Sequence, residues 1–310
     1  MNSKNKINLI FFGTAEFGIS SLKKILSDRR FNILAIITQP DKKIGRKQIT
    51  TSPPIKLIAN QNQIPILQPK NIIDIKNQII KINPDLAILI AYGQIIPKEI
   101  LDIPKLGFIN VHGSILPKYR GAACLQAPIL NGDKFSGISI MKMDKGLDTG
   151  PIIKQEKIAL AKSETADSLH NKLANLAAEI LPDIIIRYSL GKIKLQPQKD
   201  KNTSYIKKLT KEDGKISWQN SAEKIECQVR AFYPWPGSYT KLENKILKII
   251  KVNNKILKIN KHKIGTLFLI NSQLAMQCGK NALIIEKLQL EGKKIITAEE
   301  FIKGYSKYIN

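Results

Sequence analysis

Short apolar runs alternate with stretches in which apolar residues recur every three or four positions, and the alternation holds through about the first 190 residues. INLIFFG (7–13) is an apolar run closed by glycine, the signature of a buried strand. Phe17, Leu22, Ile25 and Leu26 then fall at helical spacing, predicting a helix over 15–27. FNILAIIT (31–38) predicts a second strand, and the polar, proline-bounded QPDKKIGRKQITTSPP (39–54) predicts a loop. Pro53-Pro54 can open the next helix, because proline fits a first helical turn. The alternation continues through 66–67, 72–82, 86–91, LGFINVHG (106–113), FSGISIMKM (135–143) and GPIIKQEKIAL (150–160). A long amphipathic helix is expected over 165–190, with Ser163 as its N-cap. Strands separated by helices of this length imply βαβ units, so the expected class is α/β: a doubly wound, Rossmann-like parallel sheet.

The pattern then breaks. GKIKLQPQKDKNTSY (191–205) is polar, basic and aperiodic, as a linker would be. KILKIIKV (245–252), KIGTLFLI (263–270) and ALIIEKLQL (282–290) follow, spaced like strands of a small all-β, OB-like barrel. The expected organisation is an α/β domain over 1–190, a linker over 191–209 and a β-barrel domain over 210–310.

Composition narrows the class. The apolar stretch 7–12 is interrupted by Asn8, too short for a membrane span and without the form of a secretory signal. A cytoplasmic protein with no membrane association is expected. Cys124, Cys227 and Cys278 are odd in number and form no CxxC pair, which argues against a disulfide framework and a zinc site, so no metal is expected. The net charge of +25 suits a polyanionic partner. The chain is rich in Lys, Ile and Asn and poor in Arg, however, so biased nucleotide composition can account for part of that charge. The charge is denser towards the C-terminus: residues 201–310 carry 21 Lys+Arg against 9 Asp+Glu, and residues 1–200 carry 29 against 16.

GTAEFG (13–18) stands where a Rossmann protein keeps its phosphate-binding glycines. Its spacing is GxxxxG, without a P-loop Lys-Ser/Thr, and it reads as a tight strand-to-helix turn. In FINVHGS (108–114), Asn110 and His112 share one strand face near the strand's C-terminal end, where open α/β sheets bind ligands. A strand-end histidine is also a common structural residue. MDKGLDTG (143–150) contributes Asp144 and Asp148. Aspartic proteases share Asp-Thr-Gly but need two aspartates, and one copy occurs here. Asp148 can be merely an Asx-turn residue; as a partner for His112 it would orient the imidazole and raise its basicity. Asn, His and Asp suit amide-forming acyl transfer, in which an oxyanion needs donors and an amine must shed a proton. With no serine or cysteine nucleophile motif beside the histidine, direct transfer is expected.

These segments also resemble a known family. FFGTAEFG (11–18), TQPDKKIGR (38–46), AYGQIIPKEIL (91–101), INVHGSILPKYRGAACLQ (109–126), GISIMKMDKGLDTGPII (137–153) and RAFYPWPGSY (230–239) are similar to the methionyl-tRNA formyltransferases, a folate-dependent formyltransferase family. The resemblance implies formyl transfer from 10-formyltetrahydrofolate to initiator methionyl-tRNA, with tetrahydrofolate as the leaving product. It implies Asn110, His112 and Asp148 as catalytic residues, and Ser114, Ile115, Leu116 and Pro117 as the folate-lining turn. Lys42, Lys43, Arg46 and Lys47 would lie on a loop that enters the acceptor end of the tRNA, with the C-terminal barrel contacting the same tRNA. A monomer is expected. Cys124, where the family commonly has proline, and Ala15-Glu16, in place of Pro-Asp/Glu, depart from its pattern.

Enzymes with the same three residues act on amino sugars or nucleotide sugars, on glycinamide ribonucleotide, or hydrolyse the donor. The second domain argues against the purine enzyme, and the hydrolase would carry a different accessory domain ahead of the catalytic one. The basic loop and basic second domain argue against the sugar enzymes. A non-catalytic RNA-binding protein on this fold would not need Asn110, His112 and Asp148 together.

Overall fold

The computed structural model describes residues 6–45, 47–199 and 201–310. Its strands are β1 (Ile7–Gly13), β2 (Phe31–Ile37), β3 (Lys42–Ile44), β4 (Ile49–Thr51), β5 (Ile66–Leu67), β6 (Leu86–Ile90), β7 (Phe108–His112), β8 (Arg120–Gly121) and β9 (Phe135–Lys142). There follow β10 (Ile152–Ala159), β11 (Tyr205–Ile206), β12 (Ser238–Leu242), β13 (Lys245–Val252), β14 (Leu267–Ile270), β15 (Gln273–Gln277), β16 (Ala282–Leu290) and β17 (Ile296–Thr297). The helices are α1 (Ile19–Leu26), α2 (Pro54–Gln61), α3 (Lys76–Ile82), α4 (Lys98–Leu101), α5 (Gln126–Leu130), α6 (Ala166–Ser189), α7 (Ala222–Ala231) and α8 (Ala298–Gly304). The chain divides into two compact units. One runs to Gly121 and adds Gly137–Lys157 and His170–Tyr205; the other comprises Ala122–Ser136, Ile158–Leu169 and Ile206–Asn310.

The first unit is built on a sheet of order β10-β9-β7-β6-β1-β2-β5. β1 is parallel to β2 and β6, β2 to β5, and β6 to β7. The apolar runs are continuous because these strands are covered on both faces: Leu9 to Phe12 and Leu86 to Ile90 are all buried. Phe12 packs edge-on to Tyr92 and tilted against Phe108, with ring centroids 5.4 and 5.1 Å away. The sheet is not wholly parallel: β9 runs antiparallel to β7, with His112 opposite Ser139. The one helix between them is the five-residue α5, too little helix to carry the chain back for a parallel strand.

The chain leaves β1 for β2 and β5 on one side and returns to β6 on the other, so the strand order switches between β1 and β6. There the Thr14 and Ala15 amides donate to the Ala91 carbonyl at 3.2 and 3.3 Å, and the Thr14 hydroxyl to the Tyr92 carbonyl at 2.7 Å. A Cβ at Gly13 would lie 3.2 Å from the Ile90 carbonyl and 2.6 Å from the Phe11 ring. Close packing accounts for this glycine, in keeping with a tight turn rather than a dinucleotide fingerprint.

Three local expectations need correction. The loop 39–54 contains a β-hairpin, β3–β4, with Ile44 paired to Ile49. The helix expected over 15–27 begins as a 3-10 turn at Glu16–Gly18 before α1. The cap of α6 is Thr165, not Ser163: its Oγ1 accepts from the Ser168 amide at 3.1 Å, three residues on, as an N-cap must. As expected, Pro54 stands in the first turn of α2.

The second unit holds an antiparallel sheet of order β12-β13-β16-β15-β14, with β17 on β16. Register shifts between Ile249 and Val252 against β16 mark bulges, which bend and twist a sheet. Leu247, Ile249, Leu274, Met276, Leu283, Ile285 and Leu288 form its core with Phe301 of α8 and Ile225 and Val229 of α7. Neither helix was expected from the sequence. Ser221 caps α7, and a reciprocal Thr297–Glu300 capping box opens α8.

Candidate active site

β7 carries Asn110 and His112 on one face and Val111 on the other, as strand alternation requires. All three are buried, Asn110 and His112 being 7% and 6% exposed. Asp148 arrives from the β9–β10 turn. A Cβ at Gly150 would sit 1.8 Å from the Lys142 carbonyl, so only glycine lets this turn close onto the end of β9.

The three side chains converge. Asn110 Nδ2 donates to Asp148 Oδ1 at 3.3 Å, and the Gly121 amide donates to Asp148 Oδ2 at 2.8 Å. His112 Nδ1 lies 3.6 Å from Asp148 Oδ2, within ion-pair reach but too long for a hydrogen bond. His112 Nε2 lies 2.9 Å from the Tyr119 carbonyl, which can only accept, so Nε2 carries the hydrogen and donates. Two non-glycine residues here have left-handed backbones, Tyr119 at φ 63° and Asp148 at φ 54°. Such a conformation costs roughly 1 kcal/mol or more and persists only where neighbours hold it.

The turn after β7 is fixed from β9 and β10. The Ser139 hydroxyl donates to the Ser114 carbonyl at 2.6 Å and accepts from the Leu116 amide at 3.0 Å. Gln155 Nε2 donates to the Leu116 carbonyl at 2.8 Å. Ser114 and Leu116 are buried, Ile115 and Pro117 half-buried, and the Leu116–Pro117 bond is cis. The Ser114 hydroxyl donates to the Lys118 carbonyl at 2.7 Å, so this side chain braces the turn. Leu147, next to Asp148 in the chain, is an exposed apolar side chain.

Lys42, Lys43 and Lys47 are exposed on the hairpin, and Arg46 lies outside the described residues. Asp41, at the hairpin base, is turned onto Lys56 at 2.9 Å, Gln68 at 2.9 Å and Ser52 at 3.1 Å. Gln68, then Lys56, hold its carboxyl below the usual carboxylate range. Among the described residues no group of three or more His, Cys, Asp or Glu side chains could hold a metal ion. Sequence reasoning missed Ser139, Gln155, Arg120 and Gln198 around the site. Arg120 carried a signal as a scarce arginine inside YRGAA, and Ser139 lay within the family-like segment 137–153.

Comparison with known proteins supplies the context. Residues 5–185 match the family described as formyl transferase, and residues 208–306 match the formyl transferase C-terminal domain. The methionyl-tRNA formyltransferase of Thermodesulfovibrio yellowstonii is 44% identical over 298 residues, covering 96% of this chain and 95% of that one. That of Rickettsia bellii is 42% identical over 301 residues, covering 96% and 97%. Among solved structures, the N-formyltransferase of Helicobacter canadensis, in complex with folinic acid and dTDP-3-aminofucose, superposes with a TM-score of 0.67 at 20% identity. That match covers 90% of this chain and 98% of the other, and at such identity it speaks for the fold alone.

Proposed function

The chain belongs to the formyl transferase family, and from that premise we propose that it formylates the α-amino group of methionine on initiator methionyl-tRNA, with 10-formyltetrahydrofolate as donor. The reaction is direct. The amine attacks the formyl carbon, the bond from that carbon to N10 breaks, and the proton lost by the amine ends on N10 of tetrahydrofolate. The convergence of Asn110, His112 and Asp148 at the end of β7 carries this reading.

Each residue has work that its geometry suits. Asn110 Nδ2 has two hydrogens; one goes to Asp148, and the second donates to the formyl oxygen as charge builds there. His112 Nδ1, with Nε2–H committed to Tyr119, accepts the amine proton. Asp148 stabilises the resulting imidazolium at 3.6 Å and is itself held by Gly121. The turn Ser114, Ile115, Leu116 and Pro117, with Leu147 beside Asp148, forms the folate wall. Lys42, Lys43, Arg46 and Lys47 grip the tRNA end, and the basic region 210–310 holds the tRNA body. We place the enzyme in the cytoplasm, as a monomer, at the start of protein synthesis.

Purified protein, donor and charged initiator tRNA should yield N-formylmethionyl-tRNA. A nucleotide-linked amino sugar offered in parallel should remain unmodified. Formylation of the sugar and not of the tRNA would overturn the proposal.

A further inference from the structure

Residues 191–205 read as a connector, yet the structure ties this stretch to both sides of the candidate site. Gln196 and Ile152 exchange two backbone hydrogen bonds, of 2.8 and 2.9 Å. Two residues on, the Gln198 amide makes a fork. Its Nε2 donates to the carbonyls of Asp148 at 2.9 Å and Gly150 at 2.8 Å. Its Oε1 accepts from Arg120 Nη2 at 2.8 Å and Nε at 3.2 Å. Arg120 is only 3% exposed, lies over the Tyr205 ring and donates to the Tyr205 hydroxyl at 3.0 Å. The neighbouring Tyr119 amide donates to the Ser204 hydroxyl at 2.9 Å.

These bonds join the two segments that orient the chemistry. Segment 119–121 receives His112 Nε2–H on the Tyr119 carbonyl and donates the Gly121 amide to Asp148. Segment 148–150 carries Asp148 itself, in a left-handed conformation at φ 54° that its surroundings must maintain. Gln198 bridges the two. The job needs two donors and an acceptor on one rigid plane: glutamate lacks the donors, lysine the acceptor, and methionine has no donor and only a weak acceptor.

We propose that Gln198 is a positioning residue for formyl transfer, holding the Asp148 main chain so that the carboxylate meets His112 and Asn110. The inference rests on the catalytic reading of those three residues. It makes residues 196–198 part of the active-site framework.

A double-mutant cycle tests it, on the full chain with charged initiator tRNA and 10-formyltetrahydrofolate. Gln198→Met and Gln198→Glu should each lower kcat on the order of tenfold to a hundredfold, the scale of a misplacement near 1 Å, with KM for both substrates nearly unchanged. On an Asp148→Ala background the same substitutions should add almost nothing, because their effect passes through Asp148. Wild-type kcat in Gln198→Glu would show that only the Arg120 link matters and overturn the proposal. Equal fold losses in both backgrounds would overturn it as well. Should Gln198→Met not fold, Gln198→Asn keeps the amide but falls one methylene short, and is expected to show the same kcat loss; full kcat there counts against the role. Full turnover in Asp148→Ala alone would instead bring down the catalytic reading, and the inference with it.

Discussion

Asn110, His112 and Asp148 are largely buried and bonded to fixed partners, whereas Lys42, Lys43 and Lys47 on the β3–β4 hairpin project into water. Each part of the proposed site is reached from another segment: Asp148 from Gly121, His112 from Tyr119, the turn after β7 from Ser139 and Gln155. The hairpin is fastened at its base, through Asp41, while its strands present cations and the exposed pair Ile44 and Ile49. In a water-poor site a prearranged dipole is worth much and its loss is costly. On the surface, each lysine adds a modest, salt-screened attraction that works by number. One region should therefore govern turnover and the other the dependence on tRNA concentration.

The largest effects are expected at the first. His112→Ala and Asp148→Ala should each lower kcat on the order of a hundredfold or more, leaving the tRNA concentration dependence unchanged. The double variant should be little worse than either single one, since groups acting as a unit are non-additive. Steady-state formylation by all three variants checks this, and a large rise in KM for tRNA would erase the contrast.

Smaller effects belong to the basic segment 42–47. Arg46→Ala should weaken tRNA binding with kcat preserved at saturating tRNA. If the arginine neutralises one phosphate, the log–log salt slope should become shallower by about one unit or less. Arg46→Lys should restore little if the guanidinium binds bidentately or stacks, and nearly everything if only charge counts. Titrating tRNA at several salt concentrations separates these outcomes.

The smallest concerns the hairpin base. The Asp41 pKa is depressed below its ordinary 3.8, chiefly by Gln68 and Lys56. The anchoring it supplies is thus complete above that pH and fades as pH falls through the lower folded value. Asp41→Asn should speed amide exchange across 42–51 at neutral pH without changing kcat. A drop in kcat at saturating tRNA would mean that the hairpin also positions chemistry.

The legible parts of this chain were those with local causes. β1, β2, β6 and β7 announce themselves because strands covered on both faces must be continuously apolar. Asn110 and His112 were legible because strand periodicity alone places them together. Asp148 was found through the chemistry of a loop carboxylate beside an imidazole, although it lies 38 positions from Asn110. The hairpin was not legible, for KKI and ITT are exposed on both strands and show no burial pattern. α7 was hidden because AEKIECQVRA has only two large aliphatic residues, Ile225 and Val229, and buries Glu226 and Gln228 as well. Gln198 was invisible for a deeper reason: its partners Asp148 and Arg120 lie 50 and 78 positions away, and nothing in QPQKD hints at them.

Single-turnover transfer tests the central claim most directly, with the enzyme in excess over charged initiator tRNA and the donor saturating. Wild type should convert the tRNA to its N-formyl form in one phase. His112→Ala should bind the same tRNA equally well and convert it on the order of a hundredfold more slowly. Conversion by His112→Ala at the wild-type rate, or none by wild type, would contradict formyl transfer at the end of β7.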